Sequence, residues 1–249
     1  MRDRGSMPPG PPRTTVGDMT TALITGASRG LGLALTTHLS TLGWRVVVDA
    51  RGAESLREAT RELPGVLAVA GDLTDEAHRA DLVAAVGDRL DLLVLNASTL
   101  GQHPLPALAD YDVDRFRDAL ETNTVAPLRL LQLALPALRA AEGTVIAVSS
   151  DAAVEGYPGW GGYGASKAAL DQLTRVLGAE EPTLSVYAVD PGDMRTRMHA
   201  DAFPGEDISD RPSPESVVPT LESVLRGDLE SGRYRAAALP ALAAAGGVE

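Results

Sequence analysis

Short apolar runs and amphipathic stretches alternate along most of this chain. Thr20-Thr21-Ala22-Leu23-Ile24-Thr25 reads as a short buried strand. A glycine-rich turn follows at once, and helical periodicity then runs through Leu42. Further strands are predicted over 44–49, 66–70, 91–95, 144–148 and 184–189, with a last short one near 234–237. Helices are predicted over 53–63 and 76–87, along a long stretch 113–141, through Tyr163 and Lys167, and near 214–226. Pro127 and Pro136 fall inside the long stretch and predict a kink or break there. This alternation predicts an α/β fold, a doubly wound parallel sheet of about seven strands in a single domain over 19–249. Residues 1–18 are rich in Pro, Gly and Arg, lack apolar periodicity and predict a disordered N-terminal tail.

Ligands of such sheets sit outside the carboxyl ends of the strands. Gly26–Gly32, Asp72, Asn96, Ser150 and Pro191-Gly192 each follow a predicted strand end, so they are expected to converge on one crevice. The turn Gly26-Ala27-Ser28-Arg29-Gly30-Leu31-Gly32 stands between a strand and a helix. Glycines there let the backbone turn tightly and approach a ligand, and the helix N-terminus offers N–H donors to a pyrophosphate.

Composition narrows the function classes. The 249 residues suffice for one α/β domain with a full core. A formal net charge of −12 argues against nucleic acid as a partner. Cysteine is absent, which excludes disulfides, thiol catalysis and cysteine zinc sites. His38, His78, His103 and His199 show no ligand spacing, so no metal site is expected. No apolar run approaches the roughly 20 residues that a membrane span needs. Residues 1–5 have no apolar segment behind them to make a secretory signal. The expectation is a cytoplasmic protein without a membrane partner.

Proton-transfer chemistry is suggested by Tyr163-Gly164-Ala165-Ser166-Lys167. A Tyr and a Lys four residues apart share a helix face. A free tyrosine, with a pKa near ~10, is a poor acid–base catalyst at neutral pH. An ammonium about 4 Å away, at an effective dielectric of about 20, favours the phenolate by roughly 4 kcal/mol. That corresponds to about 3 pKa units, enough to bring the phenol near neutrality. Among the 22 basic residues Lys167 is the one lysine, which points to a need for a compact ammonium at this position.

Several motifs, in order, resemble the short-chain dehydrogenase/reductase family over about residues 20–237. Thr25-Gly26-Ala27-Ser28-Arg29-Gly30-Leu31-Gly32 is similar to its cofactor turn, and Asn96-Ala97 to the core of its asparagine–alanine segment. Leu95 and Ser98 depart from the family pattern around that segment. Ser150, Tyr163 and Lys167 stand at the family's serine–tyrosine–lysine spacing, and Asn123 where it has a fourth catalytic residue. Pro191-Gly192 with Thr196 is similar to the segment that closes over the nicotinamide.

The resemblance implies a Rossmann-like fold and an oxidoreductase acting on a small-molecule carbonyl or alcohol. It implies that Tyr163 is the general acid in reduction and the base in oxidation. Lys167 would lower the tyrosine pKa and bind the nicotinamide ribose. Ser150 would donate to the substrate oxygen, and Asn123 would hold a water linking Lys167 to solvent. Cofactor contacts are implied for Gly26, Ser28, Arg29, Gly30, Leu31, Gly32, Asp72, Leu73, Asn96, Ala97, Tyr163, Lys167, Pro191, Gly192, Met194 and Thr196. Asp72 has a competing reading as the cap of the helix that begins near Asp75. A homodimer or homotetramer through helices in 113–141 and 163–180 is also implied.

Cofactor choice turns on charge after the second strand. A carboxylate there binds the ribose 2′-OH, whereas an arginine accepts a 2′-phosphate. Counted from Gly43, the position acidic in NAD-dependent members is Ala50; Arg51 follows it, and Arg29 lies in the glycine turn. These features favour NADP(H) over NAD(H), and Asp49, one residue early, is the opposing one. Asp151, Val154, Tyr157, Trp160, Met194, Met198 and the loop 193–213 are expected to line the substrate site. The alternatives are an NAD-dependent dehydrogenase, an epimerase or dehydratase on the same fold, and a non-catalytic cofactor sensor.

Overall fold

The computed structural model describes residues 20–225 and 229–239, so the tail expected over 1–18 lies outside the described residues. Seven strands form one sheet: β1 (Thr21–Ile24), β2 (Arg45–Ala50), β3 (Val66–Ala70), β4 (Leu92–Leu95), β5 (Thr144–Val148), β6 (Ser185–Asp190) and β7 (Gly232–Arg235). Their order is β3-β2-β1-β4-β5-β6-β7 and every pairing is parallel. The order reverses between β1 and β4, and the crevice opens at that switch point.

Side chains that alternate along the strands feed two cores. Ile24, Val46, Val48 and Ile146 pack with α1 (Gly30–Thr41) and α8 (Val218–Leu225) on one face. Leu23, Val47, Leu93 and Val145 pack on the other with α3 (Glu76–Val86), α5 (Ala126–Ala141) and α6 (Gly161–Glu180). A sheet covered on both faces explains why the central strands read as continuous apolar runs. Helix α2 (Ala53–Thr60) lies beside edge strand β3. No helix among the described residues is long and apolar enough to cross a membrane.

One expected break and two departures from the sequence reading bear on the site. The stretch 113–141 is two helices, α4 (Val113–Leu120) and α5, joined by a π turn over Glu121–Val125. The interruption precedes Pro127, which sits in the first turn of α5 where a missing N–H is tolerated. Pro127 has no N–H for the Asn123 carbonyl four residues back, so an α ladder cannot pass unbroken there. The polar loop 193–213 contains a short helix, α7 (Arg197–Ala202), capped by the Thr196 hydroxyl on the His199 N–H. The last strand is 232–235 rather than 234–237, and this register turns Arg233 inward.

Candidate active site

The β1–α1 turn is built so close to the segment after β4 that side chains are excluded. Gly26 has φ 71°, and a Cβ there would lie 2.8 Å from Ala97 Cα. A Cβ on Gly32 would lie 2.6 Å from both the Gly26 carbonyl oxygen and Asn96 Nδ2. Asn96 clamps the turn by donating from Nδ2 to the carbonyls of Thr25 at 2.8 Å and Gly26 at 3.1 Å. The Thr25 hydroxyl accepts the Asn96 and Ala97 N–H groups, both at 3.0 Å. Helix α1 starts with no side-chain cap and no acid in its first turn. Its first N–H groups and the positive end of its dipole are therefore free to meet an anion. Thr196 Cγ2 would be 3.6 Å from a Cβ on Gly30, which brings the segment after β6 over the turn. Such a cradle fits a dinucleotide pyrophosphate, and Arg29 is exposed beside it. Leu31 and Leu73 send their side chains into the two cores, so their main chain alone is left for a cofactor.

Asp49 turns inward, to Gly26 and His78. Its carboxylate is 2% exposed and lies beneath the turn. Oδ1 accepts the Gly26 N–H at 2.7 Å, and Oδ2 is 3.2 Å from His78 Nε2. A shift of one residue along a strand reverses the side on which a side chain emerges, which accounts for the orientation. Asp72 Oδ1 accepts the N–H and the hydroxyl of Thr74, both at 2.9 Å. The cap of α3 is Asp75, which takes the Ala77 N–H at 2.9 Å. The Thr74 N–H, with the hydroxyl of Thr74 and the charges of Arg51 and His78, holds the Asp72 carboxyl below its usual range. Arg51 is exposed and joins Asp72, Thr74 and Arg115 in lining a cleft of about 290 Å³.

Helix α6 delivers Tyr163 and Lys167 to the end of β5. A Cβ on Gly164 would lie 2.5 Å from the Ala152 carbonyl oxygen, so glycine is what lets α6 press against the 3-10 turn Asp151–Ala153. Ser150 begins that turn and its Oγ accepts the Ala152 N–H at 3.2 Å. Tyr163 is 8% exposed and Lys167 1%. Lys167 Nζ donates to the Val148 carbonyl at 2.7 Å and lies 5.7 Å from the Tyr163 ring centroid.

Burial pushes the Tyr163 phenol up, and the hydroxyls of Ser150 and Ser98 bring it part of the way back. Burial pushes Lys167 down to about 8, against the pull of Asp171. The expected lowering of Tyr163 by Lys167 is therefore not what the protein groups produce. The ammonium is held on the Val148 carbonyl, and desolvation of the phenolate is the largest influence on Tyr163.

Asn123 is fully buried in the π turn. Its Nδ2 donates to the Thr99 carbonyl at 2.8 Å and Ser166 Oγ at 2.9 Å. Its Oδ1 accepts the Thr99 N–H at 2.8 Å and the Ser98 hydroxyl at 3.2 Å. The amide is saturated by these four bonds. A water tied to Asn123 would be held by its main chain, not by its side chain.

Three supporting residues carried no motif. Arg233 of β7 donates from Nε to Asp171 Oδ2 and from Nη2 to the Ser150 carbonyl, both at 2.8 Å. Ser149 Oγ donates to the same Asp171 oxygen at 2.8 Å. This buried network ties the Ser150 main chain to α6 one turn beyond Lys167. The available sequence signal is an arginine at an inward position of a short strand.

Beside Tyr163 lies a small apolar cluster of Leu100, Ala152 and Ala202 with Leu105, Trp160, Met198 and Phe203. The Trp160 ring stands 5.6 Å from that of Tyr163 and 5.7 Å from that of Phe203. Trp160 and Met198, both expected to line the substrate site, belong to this cluster. Val154 and Tyr157 are exposed, and Met194 packs instead against the core on the α1 face. Leu100, Leu105 and Phe203 come from irregular segments where periodicity offers no guide.

The short chain dehydrogenase family profile matches residues 20–207. An uncharacterized oxidoreductase of Schizosaccharomyces pombe is 35% identical over 179 residues, 71% of this chain and 71% of that protein. Sepiapterin reductase of Mus musculus is 36% identical over 195 residues, 71% of this chain and 75% of that protein. A short chain dehydrogenase from Escherichia coli CFT073, solved as a complex with NADPH, has the same fold with a TM-score of 0.80. It is 28% identical and the match covers 87% of this chain and 96% of that one. A profile spanning most of the chain, with such relatives over much of its length, shows that it is a member of the short-chain dehydrogenase family, oxidoreductases acting on the CH–OH or C=O group of small molecules.

Proposed function

We propose that the chain is an NADP(H)-dependent carbonyl reductase, running in reverse as an alcohol dehydrogenase. The observation that carries this reading is the buried Tyr163 phenol beside the Ser150 hydroxyl, with Lys167 Nζ 5.7 Å from its ring, in a chain whose β1–α1 turn forms a glycine cradle. The nicotinamide, when bound, supplies or accepts the hydride. Tyr163 holds the proton that the reduced substrate oxygen takes up. Ser150 orients the substrate oxygen. Lys167 holds positive charge beside the phenol, which stabilises the phenolate left after proton transfer.

Arg29 and Arg51 are the cations suited to a 2′-phosphate, and the capture of Asp49 under the turn leaves them unopposed by that acid. The NADPH held by the Escherichia coli structure supports the same choice. Arg51→Ala is expected to raise the KM for NADPH by about 10- to 100-fold, the worth of one charge-assisted hydrogen bond, and the KM for NADH little. Steady-state kinetics with both cofactors checks this, and an equal rise for both would contradict it. Exposed Val125 and Leu133, in and beside α5, and Val176 on α6 support assembly of copies as a homodimer or homotetramer through these helices.

A further inference from the structure

The residue after the candidate catalytic serine bears directly on substrate choice. Asp151 Oδ1 accepts the Ser150 hydroxyl at 3.0 Å and the Ala152 N–H at 2.8 Å. Asp151 Oδ2 accepts the Tyr157 hydroxyl at 3.1 Å. That bond is the first cause of the raised pKa of the Tyr157 phenol. A serine hydroxyl has one proton, and a carboxylate can only accept. Asp151 therefore competes with a substrate oxygen, as it does with the Tyr163 phenol, for the single Ser150 proton. A neutral ketone that takes the Ser150 proton leaves Asp151 Oδ1 with the Ala152 N–H alone. A substrate that carries its own ammonium or N–H donor near the carbonyl can take the place of Ser150 on Asp151 and release the serine in the same step.

The geometry sets the reach. A carbonyl oxygen on Ser150 and a donor on Asp151 Oδ1 would each make a bond of about 2.8 Å. With the two acceptor and donor atoms 3.0 Å apart, a nitrogen on the carbon next to the carbonyl, or one carbon further, spans them. The surroundings are negative as well. Glu155 and the Asp190 carboxylate stand with Asp151 on this side, three carboxylates against two arginines: Arg235, 3.8 Å from both Glu155 and Asp190, and Arg233, 3.6 Å from Asp190. The apolar cluster around Trp160 and Phe203 offers a place for a ring attached to the same carbonyl.

Resting on the carbonyl-reductase reading above, we propose that Asp151 selects amino ketones and related carbonyl compounds with a nearby cationic or N–H donor group, and disfavours oxo acids. The test compares NADPH-dependent reduction of 2-aminoacetophenone, acetophenone and phenylglyoxylate by the wild-type protein and by Asp151→Asn. The aminoketone is expected to exceed acetophenone at least tenfold in kcat/KM, with phenylglyoxylate the poorest. In Asp151→Asn the preference for the aminoketone should collapse to within about twofold, because the amide that replaces the carboxylate carries no charge for an ammonium to meet. Equal use of aminoketone and acetophenone by the wild type, or an unchanged preference in the variant, would overturn the assignment and leave the reductase reading standing. Failure to reduce any of the three would overturn both. Circular dichroism of Asp151→Asn, with competitive inhibition by benzylamine as a readout independent of turnover, separates a selectivity change from misfolding. Benzylamine should inhibit the wild type at least tenfold better than the variant.

Discussion

Tyr163→Phe is expected to lower kcat for ketone reduction by about 10²- to 10⁴-fold while the protein still binds NADPH. The substitution removes one oxygen from a ring that Trp160 keeps in place at 5.6 Å, so packing survives and the proton does not. Cofactor fluorescence titration and single-turnover kinetics separate the two effects. Retention of full turnover would show that another group supplies the proton. A protein that senses the cofactor without chemistry would be indifferent to this change.

The same site has a pH signature with a definite sign. Lys167 is pushed down to about 8 from an ordinary lysine value of 10.5. Its ammonium is therefore present at neutral pH and is lost as pH rises through about 8. Reduction should hold steady below that point and fall above it, as the charge that stabilises the phenolate disappears. Stability should move the other way. Between about 8 and 10.5 the unfolded chain keeps a lysine proton that the folded chain has released, so this group's contribution to stability rises with pH through that window. Urea melts and a kcat/KM profile across pH 7–10 check both slopes.

Gly32→Ala is expected to abolish cofactor binding, with affinity for NADPH reduced by about 100-fold or more. The new Cβ would meet the Gly26 carbonyl at 2.6 Å, and that atom belongs to the backbone of the cradle itself. The neighbouring Asn96 amide is no softer, because it is fixed to two carbonyls. Relief requires the turn to open, at a cost of about 1–3 kcal/mol in strain, and an opened turn misaligns the N–H donors. Gly156→Ala, where an added Cβ would meet nothing within 4 Å, is the matched control. Equilibrium binding to both variants decides the matter, and tight binding by Gly32→Ala would contradict the placement of the pyrophosphate.

Much of this architecture was legible in the residues because its signals are local. Val66–Ala70 and Thr144–Val148 coincide with their predicted strands, since each is an apolar run bounded by turn residues. The glycine turn is legible for the same reason: strand, glycines and helix adjoin in sequence. What escaped depends on groups distant along the chain. The orientation of Asp49 is decided by Gly26 and His78, which stand 23 and 29 residues away. The role of Arg233 depends on Ser150, 83 residues earlier. The Tyr163–Lys167 spacing correctly suggests a shared helix face, but it carries no information on desolvation, and burial reversed the sign of the tyrosine shift. The π turn was likewise invisible, because a proline at 127 is equally compatible with a kink and with the start of a new helix.

Reduction by this site is expected to pass a hydride from the nicotinamide to a substrate carbon while Tyr163 supplies the proton. The most direct measurement uses NADPH deuterated at the transferable C4 position, with the alcohol product examined by mass spectrometry and NMR. The account predicts one deuterium at the carbinol carbon, one NADPH consumed per alcohol formed, and loss of both in Tyr163→Phe. Product formed without net NADPH consumption, or an alcohol free of deuterium at that carbon, would contradict it.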